Sequence, residues 1–288
     1  MIFRTSIAAV IALTLCHRTV LLMADEVVDT AVFAPDNLVA WCIVPFDANK
    51  RGPADRAEML SRLGIKHVAY DWRAEHVATF EEEILQYKKH GLDYFAFWSW
   101  HDAMEPLIKK HGIHPQIWST APSPNADTQQ KRVKAAAVAV LPLVEKTRSL
   151  GCRFGLYNHG GWGGSPGNLV AVCQYLREHH QADHVGIVYN FHHGHEHMAD
   201  FSDHLQTMKP YLLCLNINGM EDASTVAAGS NKILPVGSGK HELSMLQTVK
   251  ASGYDGPIGI LDHRSDLDAE KSLRQNLDGL RKMVAGGL

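Results

Sequence analysis

From Val39 to the C-terminus the chain repeats one unit, a short run of β-branched or aromatic residues followed by a longer stretch of helical periodicity. Short apolar runs suit strands buried on both faces, and the intervening helices are the crossovers that parallel strands need. Eight runs occur, at Val39–Val44, His67–Asp71, Tyr94–Trp98, Pro115–Ser119, Arg153–Asn158, Val185–Asn190, Tyr211–Ile217 and Pro257–Asp262. Helices are expected at Pro53–Leu63, Val77–His90, His101–His111, Thr128–Leu150, Asn168–His180, Met198–Lys209, Glu242–Ser252 and Ala269–Val284. Glycine follows several of them at once, as in Leu63-Gly64, His90-Gly91 and His111-Gly112, a common helix stop. Strict alternation of eight with eight predicts an α/β fold, a single-domain (β/α)8 TIM barrel over residues 39–288.

Ahead of the barrel, Arg4 precedes an apolar run from Ile7 to Cys16, and Leu22-Met23-Ala24 leads into Asp25-Glu26. This reads as a signal peptide over residues 1–24, followed by an N-terminal extension over 25–38, so the protein is expected to be exported, periplasmic or extracellular. The run is shorter than the about 20 apolar residues of a membrane span, and no span is expected in the mature protein. Leu13-Thr14-Leu15-Cys16 is similar to a lipoprotein box, the alternative being lipidation at Cys16, but Leu15 stands where such a box has a small residue. Beyond Cys16 lie Cys42, Cys152, Cys173 and Cys214, with no CxxC pair, and buried thiols are expected.

The formal charge is −3 and the pI about 6.6. No basic field is present to gather nucleic acid or an anionic membrane surface.

Chemistry-bearing residues concentrate where the strands end, which in a parallel barrel is the mouth that builds active sites. Trp72, Trp98, Trp100, Trp118 and Trp162 lie at or just past strand ends. Indole faces pack against the apolar faces of sugar rings. Of 18 histidines, His101, His159, His192, His193, His195, His197, His241 and His263 fall in the same zone, an array suited to proton transfer or metal binding. The densest motifs are Tyr157-Asn158-His159-Gly160-Gly161, Tyr189-Asn190-Phe191-His192-His193-Gly194-His195-Glu196, Asn216-Ile217-Asn218-Gly219 and Leu261-Asp262-His263-Arg264. Asn216 and Asn218 share one side of their strand. Asp47 to Arg51, Asp71-Trp72-Arg73 and Lys240-His241 add polar candidates. Gly160 to Pro166 runs into a helix start of the kind that binds anions.

On these motifs the chain resembles the xylose isomerase-like TIM-barrel superfamily, which includes sugar phosphate isomerases and epimerases and the AP endonuclease family 2 fold. Asn158 and His159 match the family's Asn-His pair, His193 matches the strand-six histidine, and Leu234 to Gly239 resembles its Gly-x-Gly segment. The resemblance implies a divalent metal (Mn, Mg or Zn) that eases proton removal beside a carbonyl, with His159, His193 and Asp262 as the ligands this chain retains. The family's carboxylates are replaced, by Tyr157 on strand five, Asn190 on strand six and Leu261 or Asp262 on strand eight, and Asn216 stands for the strand-seven histidine.

The expected function is an exported sugar isomerase- or epimerase-like enzyme acting on a small carbohydrate, either a sugar or an oxidised sugar. His159, His193, Asp71 and Asp262 would be catalytic. Asn158, Asn190, Asn216, Asn218, Trp72, Trp98, Trp100, Trp162 and Lys240 would bind substrate. Two alternatives stay open, a lyase for oxidised glycosides and a non-catalytic carbohydrate-binding protein that has lost the metal carboxylates.

Overall fold

The computed structural model describes residues 31–228 and 232–288. The expected leader, Cys16 and the first part of the extension lie outside them.

Eight parallel strands close in sequence order into a barrel. They are β1 (Leu38–Trp41), β2 (His67–Asp71), β3 (Asp93–Trp98), β4 (Gln116–Thr120), β5 (Phe154–Tyr157), β6 (Val185–Asn190), β7 (Leu212–Ile217) and β8 (Ile258–Leu261). Strand β1 pairs with both β2 and β8, Trp41 opposite Leu261, so no edge is left open. Around it run α1 (Pro53–Leu63), α2 (Phe80–His90), α3 (Met104–His111), α4 (Gln129–Ser149), the one-turn α5 (Gly161–Gly164), α6 (Pro166–His180), α7 (Phe201–Met208), the short α8 (Ala223–Ala227), α9 (Glu242–Ala251) and α10 (Ala269–Ala285). The eight expected strand–helix units are therefore present. Most ends move by a residue or so, but β1 stops at Trp41, three residues short of the expected Val44, and helix starts shift by up to three: residues Ala74–Thr79 form a 3-10 turn ahead of α2. Gly64, Gly91 and Gly112 end α1, α2 and α3 in the left-handed region, as read from the sequence.

Strand residues are buried on both faces, which is why the sequence shows apolar runs instead of alternation. One layer fills the barrel, with Val39, Trp41, Ala69, Ala96, Trp118, Val188, Cys214 and Leu261. The other lies between strands and helices and takes the alternate residues, such as Tyr70, Phe97, Tyr189 and Ile260. Trp118 is fully buried in the interior, its Nε1–H donating to Gln116 Oε1 at 2.9 Å, and it plugs the channel below the mouth. Space inside is tight: a Cβ at Gly259 would fall 1.7 Å from Asn216 Oδ1. At the other end, Val32 and Phe33 of the extension are buried, and Asn37 Nδ2 ties it down through the carbonyls of Val32 and Gly256. Cys42, Cys152, Cys173 and Cys214 are free and buried. Among the described residues no helix is long and apolar enough to cross a membrane.

Candidate active site

Alternation along each strand decides which residues reach the mouth. In β2, Ala69 faces the interior and Tyr70 the helices, so Asp71 faces inward again. On the same logic Tyr157, Asn190 and Leu261 point in, whereas Trp72 and Asn158 point out. Asp71 and Tyr157 line a cavity of about 280 Å³ at the strand C-termini, together with Trp41 and Trp98. The rings of these aromatics meet edge to face, Trp98 on Tyr157 at 4.6 Å and Trp41 on Trp98 at 6.0 Å, and form a rigid floor.

Four histidines wall this cavity: His159, His192, His193 and His263. Their rings run in a continuous file, His159 to His193 at 4.4 Å, His193 to His192 at 3.6 Å and His192 to His263 at 5.6 Å, ending where Phe46 covers His263 at 3.9 Å. Local structure explains the convergence. Asn158 uses its amide as an extra rung between β5 and β6: its Oδ1 accepts from the Asn190 N–H at 2.7 Å and its Nδ2 donates to the Asn190 carbonyl at 3.1 Å. That rung holds the next residue, His159, beside the loop that leaves β6. There a single 3-10 turn, Phe191–His193, buries Phe191 against Phe201 and turns the two histidines over the mouth. Gly194 lets the chain pass close to Tyr189, whose hydroxyl would lie 2.4 Å from any Cβ placed there. Cys42 and His263, which also line the cavity, both hold left-handed backbone, at φ 61° and 47°. Such geometry costs about 1–2 kcal/mol per non-glycine residue and is commonly retained at functional sites.

Burial sets the charge states. Asp71 is 1% exposed; one oxygen accepts a long 3.4 Å bond from the Val44 N–H and the other has no partner among the described residues. Desolvation pushes its carboxyl up to about 7, against the pull of nearby Arg73. The imidazoles move the other way. Burial, with the neighbouring rings and cations adding to it, lowers His193 to about 3 and His263 to about 4 and drives His192 well down. At neutral pH the mouth therefore offers the neutral imidazoles of His192, His193 and His263 facing a carboxyl balanced between its two forms.

The other expected residues are placed as follows. Asn190 points inward and donates through Nδ2 to the Tyr157 hydroxyl oxygen. Asn216 and Asn218 are fully buried on β7 and just beyond it, and neither lines the cavity. The indole N–H of Trp72 donates to the Ser99 carbonyl, that of Trp100 to Asp102 and that of Trp162 to Gln129, all outside the cavity against the helix layer. Of the tryptophans expected at the mouth only Trp98 lines it, because an odd step past an inward residue turns a side chain outward and the loop residues follow their own hydrogen bonds. Lys240 is tied to Glu221 and Asp222 away from the cavity, and Lys232 lines it instead. Arg73 and Phe46 complete the rim. The Asp71-Trp72-Arg73 motif pointed to Arg73; nothing in the sequence pattern singled out Lys232, Phe46 or Trp41.

Asp262 does not line the cavity either. It is 1% exposed, neither carboxylate oxygen has a hydrogen-bond partner among the described residues, and burial pushes it up to about 8, with Asp47 and Asp71 adding to the rise and nearby Ser272 pulling against it. Unfolded, it would titrate near 3.9. The native state therefore holds a proton that the unfolded chain releases, and stability falls as pH rises from about 4 to about 8. Asp262→Asn removes this penalty. The variant is expected to exceed the parent in unfolding free energy by an amount that grows with pH toward about 5 kcal/mol, the worth of a shift of about four pH units. Denaturant titrations at pH 5 and pH 9 measure it, and a gap that does not change between them rules the argument out.

Of the divalent cations implied by the resemblance, magnesium and manganese do not fit the donors present. Hard cations take charged oxygens. The inward positions at the ends of β5, β6, β7 and β8 carry a phenol, two amides and a leucine (Tyr157, Asn190, Asn216, Leu261), and burial holds the Tyr157 phenol well above its ordinary range. Asp262 lies apart from His159 and His193, and among the described residues no group of three or more His, Cys, Asp or Glu side chains is placed to hold a metal ion.

No family model and no curated protein matches the sequence. Solved structures do match in shape. A 3-keto-D-glucoside 4-epimerase, YcjR, from E. coli is similar at a TM-score of 0.57 and 14% identity over 87% of this chain and 99% of that one. The probable 3-DHS dehydratase AsbF from Bacillus anthracis gives 0.63 and 14% over 85% and 98%. The IolI protein, solved with a zinc atom, gives 0.63 and 14% over 88% and 99%. At such identities shape is what is shared, and the chain has the fold of the xylose isomerase-like TIM barrels.

Proposed function

We propose that the chain is an exported sugar isomerase- or epimerase-like enzyme that moves a proton beside a carbonyl of a sugar or oxidised sugar without a metal ion. The observation that carries this reading is the meeting of Asp71 with the file of imidazoles in one solvent-reached cavity over an aromatic floor. Strands β2 and β6 are four apart in an eight-stranded ring, so Asp71 and His193 approach a bound molecule from opposite sides. That disposition suits a single-base transfer: the Asp71 carboxylate removes the proton beside the carbonyl and, as the acid so formed, returns it to the adjacent carbon of the enediol, while a neutral imidazole opposite gives its N–H proton to one oxygen and takes one back from the other. Asp71, ionised, takes the proton. The imidazoles of His192, His193 and His263, held neutral by burial, can donate a hydrogen bond to the carbonyl oxygen as it gains charge, as neutral imidazole does in other isomerases. Trp41 and Trp98 supply an apolar surface for the ring.

The test is deuterium uptake from D2O into a panel of aldoses, ketoses and keto-glycosides, followed by NMR. Uptake at a carbon next to a carbonyl is expected in the parent and is expected to drop at least tenfold in His159→Ala/His193→Ala, since positioned acid–base groups contribute about 10²–10⁴. Undiminished uptake in that double variant defeats the proposal. Loss of water or an alcohol from the product in place of isomerisation assigns the lyase reading to the same proton abstraction.

A further inference from the structure

Most cations on the loops around the mouth are already matched: Arg51 to Asp47 and Asp268, Lys240 to Glu221 and Asp222, and Arg264 to Asp266. Two are not. Arg73 and Lys232 both line the cavity, and neither forms an ion pair with a carboxylate among the described residues. Arg73 donates from Nη1 to the Trp72 carbonyl and lies 5.4 Å over the Phe46 ring, contacts that steady it and leave Nε and Nη2 without a partner among the described residues. Those two N–H groups form the fork to which a carboxylate binds with two parallel hydrogen bonds. The charges act inside the cavity: after burial and neighbouring rings, Lys232 contributes to depressing His192 and His193, and Arg73 and Lys232 together do so for His263.

The cavity thus carries two cations, Arg73 and Lys232, and a single carboxyl, Asp71, in a chain whose net charge is −3. An uncharged sugar would leave this local excess unmatched, and an anion would cancel it. We infer that the substrate is an acidic monosaccharide whose carboxylate is held at the rim between Arg73 and Lys232 while its reacting carbon lies over the aromatic floor beside Asp71 and the histidines. This deepens the proposed function and rests on it for the location of the sugar. The volume, about 280 Å³, is at the small end of ligand pockets and suits a single ring. A phosphate fits less well. Phosphates are commonly cradled by backbone N–H groups at helix starts, and the glycine-rich segment that could supply them, Gly160 to Ser165, does not line the cavity.

The experiment is calorimetric titration of the full chain with D-glucuronate, D-glucose and D-glucose 6-phosphate at pH 7 in low and high salt. D-glucuronate is expected to bind at least tenfold more tightly than D-glucose, which is about 1.4 kcal/mol, and to lose most of that margin in high salt. Arg73→Gln and Lys232→Gln are each expected to weaken D-glucuronate about fivefold or more and to leave D-glucose unchanged. Lys66→Gln removes the same charge from an exposed pair with Asp36 at the opposite end of the barrel and serves as the control. Equal affinity for D-glucose and D-glucuronate overturns the inference, as does a double variant that binds D-glucuronate like the parent; tighter binding of D-glucose 6-phosphate overturns the carboxylate assignment. Failure of the two claims is separable. Deuterium uptake into neutral sugars with no preference for D-glucuronate keeps the proton-transfer reading and sinks this one, and tight D-glucuronate binding without uptake does the reverse.

Discussion

Asp71→Asn should lower kcat/KM for proton transfer at least a hundredfold while leaving the fold intact. The carboxyl can be ionised under mild conditions, whereas burial holds His193 and His263 neutral down to about 3 and 4. A positioned base contributes about 10²–10⁴, and a hundredfold loss corresponds to about 2.7 kcal/mol of barrier. The amide is isosteric and keeps the acceptor for the Val44 N–H, so packing is preserved. The pH dependence follows from the same burial. Asp71 works as a base only when ionised, and its carboxyl is pushed up to about 7, so activity in the parent is expected to rise with pH through about 7 and to fall away on the acid side. A rising limb placed near 4 would mean that the carboxyl is better solvated than its 1% exposure indicates. Steady-state rates from pH 5 to pH 9 decide this. Retention of more than a third of parental activity in Asp71→Asn removes it as the base.

The barrel is legible in the sequence because parallel strands covered on both faces leave a clear imprint, apolar runs such as Val185–Asn190 separated by helix-length stretches. Boundaries are less so. Arg153 and Asn158 carry strand-like neighbours but fall outside β5, whose pairing covers Phe154–Tyr157. The turn Ala74–Thr79 has helical composition yet tightens to 3-10 geometry as it leaves the mouth.

For the site, the histidine motifs of β5 and β6 can be read because chain position alone brings His159 and His193 to neighbouring strand ends. The tryptophans mislead for a physical reason. Proximity to a strand end does not fix direction, and a single residue of offset sends an indole to the helix layer, as Trp72 shows against Phe80 and Phe97. Asn158 reads in the sequence as a group for hydroxyls and serves instead as a rung between β5 and β6, a role set by backbone atoms 32 residues away. Lys232 is invisible there because a lone lysine in a long loop has no pattern; only the closed ring places that loop over the cavity.

The largest loss of stability is expected not at the mouth but beneath its first loop, from Glu83→Gln. Arg56 on α1 and Glu83 on α2 form an ion pair at 2.6–2.8 Å with side chains 3% and 0% exposed. Burial alone would disfavour the charged guanidinium, and the Glu83 carboxylate more than offsets it and holds Arg56 above its ordinary range. Arg56 also donates to the Arg51 carbonyl, and Asp47, which binds the Arg51 side chain, caps the Ala269 N–H of α10. The pair therefore joins α1, α2 and the loop after β1. Removing one charge strands the other in a low-dielectric setting, which costs about 3–5 kcal/mol. For a chain of this size that lowers Tm by roughly 10 °C. Replacing both, as in Arg56→Met/Glu83→Leu, leaves no stranded charge and is expected to recover most of the loss, because apolar packing of similar volume is often as stable as a buried pair. Thermal and denaturant unfolding of the three proteins test this. A single variant within about 1 kcal/mol of the parent, the range typical of a solvent-exposed pair, would mean that water reaches Arg56 and that its burial is not what shapes this part of the barrel.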